Sequence, residues 1–424
     1  MKCKRHILIA ILLFLVLMVQ NVFAEKILIY MDLEQKDHLK AYGVAFWSLE
    51  QGVNVEWLLN YRGGSFMVDR YPALERELRV RGVSFDVISE SQAAQVYAVI
   101  KEENMDVVLL EKAPKIAIYA PPNKQVWDDA VLLALEYAEI PYELLWDDKV
   151  LQGELNRFDW LHLHHEDFTG QYGKFYANYH NTDWYQDEKK KNEALAHKLG
   201  YAKVSRMKGD VALAIRDYIA GGGFVFAMCS ATDTFDIALA AQKLDIVADV
   251  YDGDPADPQA DSKLDYSQCL AFENFHIIEN PLIYEYSDID IPPSNAPVLR
   301  GAEADYFTLF EFSAKYDPVP TMLTQNHVSA IKGFMGQTTG FNRNMIKKSI
   351  TIMGEAEGTD QVKYLHGNFG KGTFTFYGGH DPEDYQHFVY DPHTQLSLHK
   401  NSPGYRLILN NILFPAARKK KLKT

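Results

Sequence analysis

The chain has 424 residues, a formal net charge of −14 and 13% aromatic residues. A balance this acidic disfavours nucleic acid and anionic membranes as partners. The length exceeds one typical hydrophobic core, so two domains are expected.

Residues 1–24 read as an export signal. Lys2, Lys4 and Arg5 form a basic start, Ile7 to Val19 is an apolar run short for a membrane span, and Val22-Phe23-Ala24 suits cleavage. The expected mature protein starts at Glu25 and is periplasmic or secreted, with no membrane attachment after cleavage; an uncleaved anchor is the alternative. Losing those three basic residues takes the charge to −17. Only Cys229 and Cys269 then remain, and in an oxidising compartment they have two fates, a single disulfide or two separate thiols.

From Lys26 to about Lys112 strand and helix signals alternate, which implies parallel βαβ units in a domain of residues 25–112. Strands are expected at 26–30, 53–59 and 83–88, and helices at 36–51, 73–81 and 91–102. Asn60-Tyr61-Arg62-Gly63-Gly64-Ser65 follows the second strand but lacks phosphate-loop spacing, so it reads as a plain turn. Ala113-Pro114 is the expected join.

A second α/β pattern restarts at Lys115: strands at 115–119, 142–146 and 158–163, and helices at 126–138, 187–199 and 207–219. It leads into Gly221-Gly222-Gly223 and the apolar strand Phe224 to Met228. Cys229 stands at that strand's carboxyl edge, just before the helix-opening Thr232-Asp233-Thr234. This is the pattern of a nucleophile elbow, in which helix amides favour a thiolate and a developing oxyanion. The bland reading makes Cys229 a small apolar filler.

Residues about 245–344 lose periodicity and read as a loop-rich insert, a lid or specificity wall. Within it Asp252, Asp254, Asp257 and Asp261 form an acidic loop that offers oxygen ligands without matching an EF-hand. A hairpin of residues 362–377 then delivers Gly378-Gly379-His380-Asp381-Pro382-Glu383, and a helix over 402–413 closes the chain.

A cysteine hydrolase needs a thiolate, an imidazole and an acid to orient it. Cys229 with His380 and either Asp381 or Glu383 would meet that need. His162, His164, His165, Glu166 and Asp167 form a second cluster, expected with Ser230 to line the same pocket. Alternation puts His162 and His164 on one face, an arrangement that also allows a metal-dependent hydrolase, although the spacing matches no zinc signature. No metal or cofactor is assigned on this reading.

The strand 158–163, the elbow 221–230 and the Gly370-Lys371-Gly372 to Gly379-His380-Asp381 run together resemble the class I glutamine amidotransferase-like superfamily, in its trehalose-utilisation (ThuA-like) branch. The resemblance covers residues 113–424. It implies a doubly wound, mostly parallel flavodoxin-like α/β domain and a triad of Cys229, His380 and an acid. The family's Gly-x-Cys-x-Gly is Ala227-Met228-Cys229-Ser230-Ala231 here, and its His-x-Glu is one residue longer.

As a whole the chain resembles an exported bacterial family commonly labelled asparagine synthetase B, through Phe46-Trp47, residues 59–66, 162–170 and 378–385. That label's chemistry is not expected: cleavage after Ala24 exposes Glu25 rather than cysteine, and no Ser-Gly-Gly-x-Asp-Ser loop occurs. The expected function is hydrolysis of a small amide or ester, with non-catalytic binding of a sugar or partner protein as the alternative.

Overall fold

The computed structural model describes residues 25–122, 129–291 and 301–418. The export signal expected over 1–24 lies outside them.

The first segment builds a five-stranded sheet. Its strands are β1 (Lys26–Ile29), β2 (Val55–Leu59), β3 (Ser65–Asp69), β4 (Asp86–Ile88) and β5 (Asp106–Leu110), in the order β4-β1-β3-β2-β5. Every pairing in it is antiparallel, which corrects the expected parallel βαβ units. The reason is the Asn60–Gly64 turn. Asn60, Arg62, Gly63 and Gly64 all take left-handed backbone (φ 62, 45, 76 and 86°), so the chain reverses at once and returns as β3 beside β2. A connection that short joins only antiparallel neighbours.

The remaining ten strands form the second sheet. They are β6 (Ile116–Tyr119), β7 (Glu143–Leu145), β8 (Trp160–Leu163), β9 (Phe224–Met228), β10 (Tyr306–Leu309), β11 (Ala330–Lys332), β12 (Phe341–Asn342), β13 (Thr351–Glu355), β14 (Gln361–Phe369) and β15 (Gly372–Tyr377). The order is β11-β10-β13-β14-β15-β9-β8-β6-β7, with β12 against β14. β7, β6, β8, β9 and β15 run parallel. The others join antiparallel. The fold is therefore α/β, as expected, with a parallel half (β7-β6-β8-β9-β15) extended by antiparallel strands. The extra strands come partly from the insert, where β10 and β11 extend one edge; three- and four-residue strands are too short to show alternation in sequence.

β9 is buried along its whole length, and its side chains alternate between two cores. Phe224, Phe226 and Met228 join one; Val225 and Ala227 join the other. The first core fills the space between the two sheets with the helices His38–Glu50, Ala130–Ala138 and Pro403–Leu413. The first two helices cross closely, since a Cβ on Gly43 would lie 1.9 Å from Ala138 O. The second core lies under the helices Asp183–Lys198, Val204–Gly221 and Ala231–Ala240.

Arg406, on the closing helix, has no exposed surface. It donates to Met31 O (2.9 Å) and Gly63 O (2.6 Å) and bonds His327 Nδ1 (2.9 Å). The last helix is thereby laced to the loops that follow β1 and β2. His327 in turn stacks on His38.

Candidate active site

β9 ends at Met228 and the next helix starts at Ala231, so the chain must turn within two residues. Cys229 makes the turn at φ 51°. Left-handed backbone costs a non-glycine residue about 1–2 kcal/mol and recurs at functional positions. Its amide donates to Gly379 O (3.2 Å), the residue before His380. Two residues on, the Ala231 amide donates to His164 O (2.9 Å). Ser230 Oγ donates to His165 O (3.1 Å). The ends of β8, β9 and β15 are therefore tied together at the turn, and they bring Cys229, His164, His165 and His380 to one sheet edge.

These bonds also restrict the expected oxyanion site. Of the amides that follow the thiol, Ala231 is engaged by His164 O and Thr232 by Cys229 O (3.1 Å). Cys229 is 3% exposed. Cys229 and Cys269 are not joined, which removes the disulfide alternative. Cys269 instead donates its thiol to Asp236 O (3.3 Å), and burial pushes its pKa far up.

The histidines form a connected row. His162 Nδ1 bonds Phe226 O (3.0 Å), and its Nε2 lies 3.3 Å from Asp129 Oδ1. His164 Nδ1 is 3.7 Å from the same oxygen, so the shared face expected of these two rings is present. His164 Nε2 meets His380 Nδ1 at 3.3 Å. His380 stacks on His387, centroids 4.5 Å apart, and His387 Nδ1 is 2.8 Å from Asp384 Oδ2. Desolvation holds His164 well below its ordinary pKa; Asp129 opposes that shift, and the neighbouring imidazoles add to it. The ring is neutral at pH 7.

The acids singled out from sequence do other work. Asp381 accepts from Tyr405 OH (2.8 Å) and from the Glu383 amide (2.9 Å). Glu383 pairs with His399 Nδ1 at 2.9 Å. Glu166 accepts the His164 amide (3.2 Å), while Asp167 caps its own loop by accepting the Thr169 and Gln171 amides, each at 2.6 Å. The carboxylate set behind the histidine pair is Asp129, which sequence reasoning missed. It also caps the helix Ala130–Ala138 through the Val131 and Leu132 amides, and that ordinary role hid it.

Below the elbow lies a second missed group. Asp233, one turn into the helix after Cys229, accepts from Thr338 Oγ1 (3.0 Å) and the Thr234 amide (2.8 Å). Its Oδ2 is buried without a hydrogen-bond partner among the described residues. Desolvation raises its pKa to about 7. Asp290 is likewise raised by burial, with Asp233 adding to the shift. The insert reaches this floor: Thr338 O accepts the Gly379 amide (2.7 Å), and Met335 O accepts the His380 amide (2.9 Å). Tyr284, also from the insert, is 43% exposed. Its phenol end is more enclosed than its exposed ring edge, and burial there raises its pKa.

The acidic loop is only partly compensated, by two lysines. Lys203 Nζ lies 2.5 Å from Asp245, 3.0 Å from Asp252 and 2.5 Å from Asp254, and Lys263 pairs with Asp257 at 2.8 Å.

No family model matches the chain, and no curated protein matches it. Among solved structures, the Cytoplasmic Protein STM3548 from Salmonella typhimurium is 10% identical; the match covers 72% of this chain and 100% of that one, with a TM-score of 0.35. The Cytoplasmic Protein STM1381 from Salmonella typhimurium LT2 is 11% identical over the same shares, 72% and 100%, with a TM-score of 0.33. Gan42B, a GH42 beta-galactosidase from G., is 11% identical over 63% of this chain and 28% of its own, with a TM-score of 0.27. At this distance the fold class rests on the strands and helices themselves.

Proposed function

We propose that this is an exported hydrolase of small amides or esters, built on a class I glutamine amidotransferase-like domain, with Cys229 as nucleophile. One observation carries the reading: Cys229 takes left-handed backbone between β9 and its helix, and its amide is bonded to the carbonyl that precedes His380. Neighbouring parallel strands thus present thiol and imidazole at one edge, where open α/β sheets place their ligands.

In this reaction His380 takes the Cys229 proton, the sulfur attacks the substrate carbonyl carbon, and the C–N or C–O bond breaks. The leaving group takes the proton from His380. Water then cleaves the thioester, and His380 carries the proton back to sulfur. His164, backed by Asp129, holds the His380 ring through the Nε2–Nδ1 contact.

Alkylation of the native full-length protein with iodoacetamide tests this. Rapid, pH-dependent labelling confined to Cys229, and slowed at least tenfold in His380→Gln, is expected; Cys269 should label only after unfolding. Labelling of Cys229 no faster than Cys269, or unaltered in His380→Gln, overturns the reading.

A binding role without turnover is favoured by one feature, the part-exposed ring cluster Phe175, Tyr179, Trp184 and Tyr284, whose neighbouring centroids lie 5.4–5.8 Å apart. Sugars dock on such faces. Saturable disaccharide binding retained in Cys229→Ala, with no hydrolysis by the native protein, would select that role.

A further inference from the structure

We infer that His164, His165 and His380 form a binding site for one borderline divalent transition-metal ion, zinc by preference. This goes beyond the hydrolase reading and is measured without turnover.

The three imidazoles each offer a nitrogen, and these atoms all lie within 4.8 Å of one another. Zinc binds histidine nitrogen at about 2.0–2.1 Å, so tetrahedral ligands sit about 3.3–3.4 Å apart. His164 Nε2 and His380 Nδ1 are 3.3 Å apart, the edge such a site needs. A hydrogen bond between two neutral rings would give the same distance; the third imidazole nitrogen within 4.8 Å of both is what a metal site adds. The His165 centroid lies 5.1 Å from His164, at 85° to its plane, and 5.7 Å from His380. The His164 ring stands across the other two, at 74° to His380 and 85° to His165, while His165 and His380 are tilted by 32°.

The scaffold holds these rings in advance of any ion. His164 and His165 follow β8 and are fixed through their carbonyls by the Ala231 amide and Ser230 Oγ. His380 follows β15 and is fixed through its amide by Met335 O. Behind His164, the nitrogen turned away from His380 faces Asp129 Oδ1 at 3.7 Å. A carboxylate that closes from there to hydrogen-bond distance orients a metal-bound histidine. An all-imidazole set suits zinc, copper, nickel or iron rather than calcium or magnesium, which take oxygen ligands. Three protein ligands leave a position open for water or substrate.

Metal and proton transfer would compete for His380. An occupied site holds the ring that the hydrolase reading assigns to the Cys229 proton, so the ion should slow thiol alkylation.

The test is titration of chelator-treated full-length protein with Co²⁺, which reports tetrahedral nitrogen ligation in the visible spectrum. Saturation at one ion per chain, displaced by one equivalent of Zn²⁺, is expected. His165→Ala and His380→Ala should each weaken binding at least tenfold, and Asp129→Asn about tenfold. His180→Ala, which alters a histidine set against Tyr176, should leave binding unchanged. Melting curves taken with chelator show that each variant is folded. No saturable Co²⁺ spectrum, or equal affinity in His165→Ala, overturns the site. Tight binding with no effect on Cys229 alkylation leaves the metal site standing and counts against the His380–thiol pairing instead.

Discussion

At the residue scale, the candidate site holds groups that stability alone would not favour. Cys229 sits at φ 51° where glycine would be relaxed, and Asp233 buries a carboxyl with one oxygen unmatched. The sign for Asp233 follows from its pKa, raised by desolvation from 3.8 to about 7. Its contribution to stability is present below the unfolded value and is lost as pH rises through about 7. Each unit is worth about 1.4 kcal/mol, so ionisation in place costs up to roughly 4 kcal/mol above neutrality. Asp233→Asn keeps the oxygen that accepts from Thr338 and Thr234 but cannot ionise. The variant is expected to melt higher than the native protein at pH 8, with the difference shrinking toward pH 5. Melting curves across that range check it; an equal gain at both pH values would mean that the carboxyl is not the cause.

At the element scale, local signals are legible in the sequence and strand pairings are not. The strand 224–228 and the hairpin around Gly370 stand where the apolar runs and glycines place them, because each is specified within a few residues. β3 is not legible in the sequence, since Ser65–Asp69 is short and follows a turn directly. Without it the remaining strand and helix signals alternate and imply a parallel sheet. Arg406 is a similar case. An arginine within an apolar helix (Pro403–Leu413) suggests a solvated edge, yet it is fully buried and supplies donors to two loop carbonyls of the first segment. Arg406→Ala strands Gly63 O, leaves Met31 O to His38 Nε2 alone and opens a cavity, at about 1–3 kcal/mol for an unmatched group and more for the lost packing. A drop in the urea midpoint equivalent to about 3 kcal/mol or more is expected, while Arg79→Ala, on an exposed helix face, should change it by less than about 1 kcal/mol.

At the scale of the whole molecule, the two sheets share one core through the helices between them. The chain after β5 returns to it, with Glu111 N donating to Ala416 O (2.9 Å) and Leu110 bridging Ala417. A fragment of residues 113–424 would expose the apolar faces of the helices Ala130–Ala138 and Pro403–Leu413. It is expected to bind a hydrophobic dye and to lose sharp near-ultraviolet dichroism. A fragment that melts cooperatively and is dye-silent would show that the Ala113-Pro114 join divides independent domains.

What the sequence determined by itself was the local chemistry: an apolar strand ending in a cysteine, histidines on one face of a neighbouring strand, and a histidine delivered by a glycine pair. Periodicity and turn residues act over a handful of positions, and that is the range over which they are legible. Only the tertiary structure decided which carboxylate stands behind the imidazoles, that Asp381 and Glu383 serve Tyr405 and His399, and that the two cysteines stay apart. Those outcomes depend on partners such as His164 and His380, 216 positions apart in the chain, brought together by the order of parallel strands.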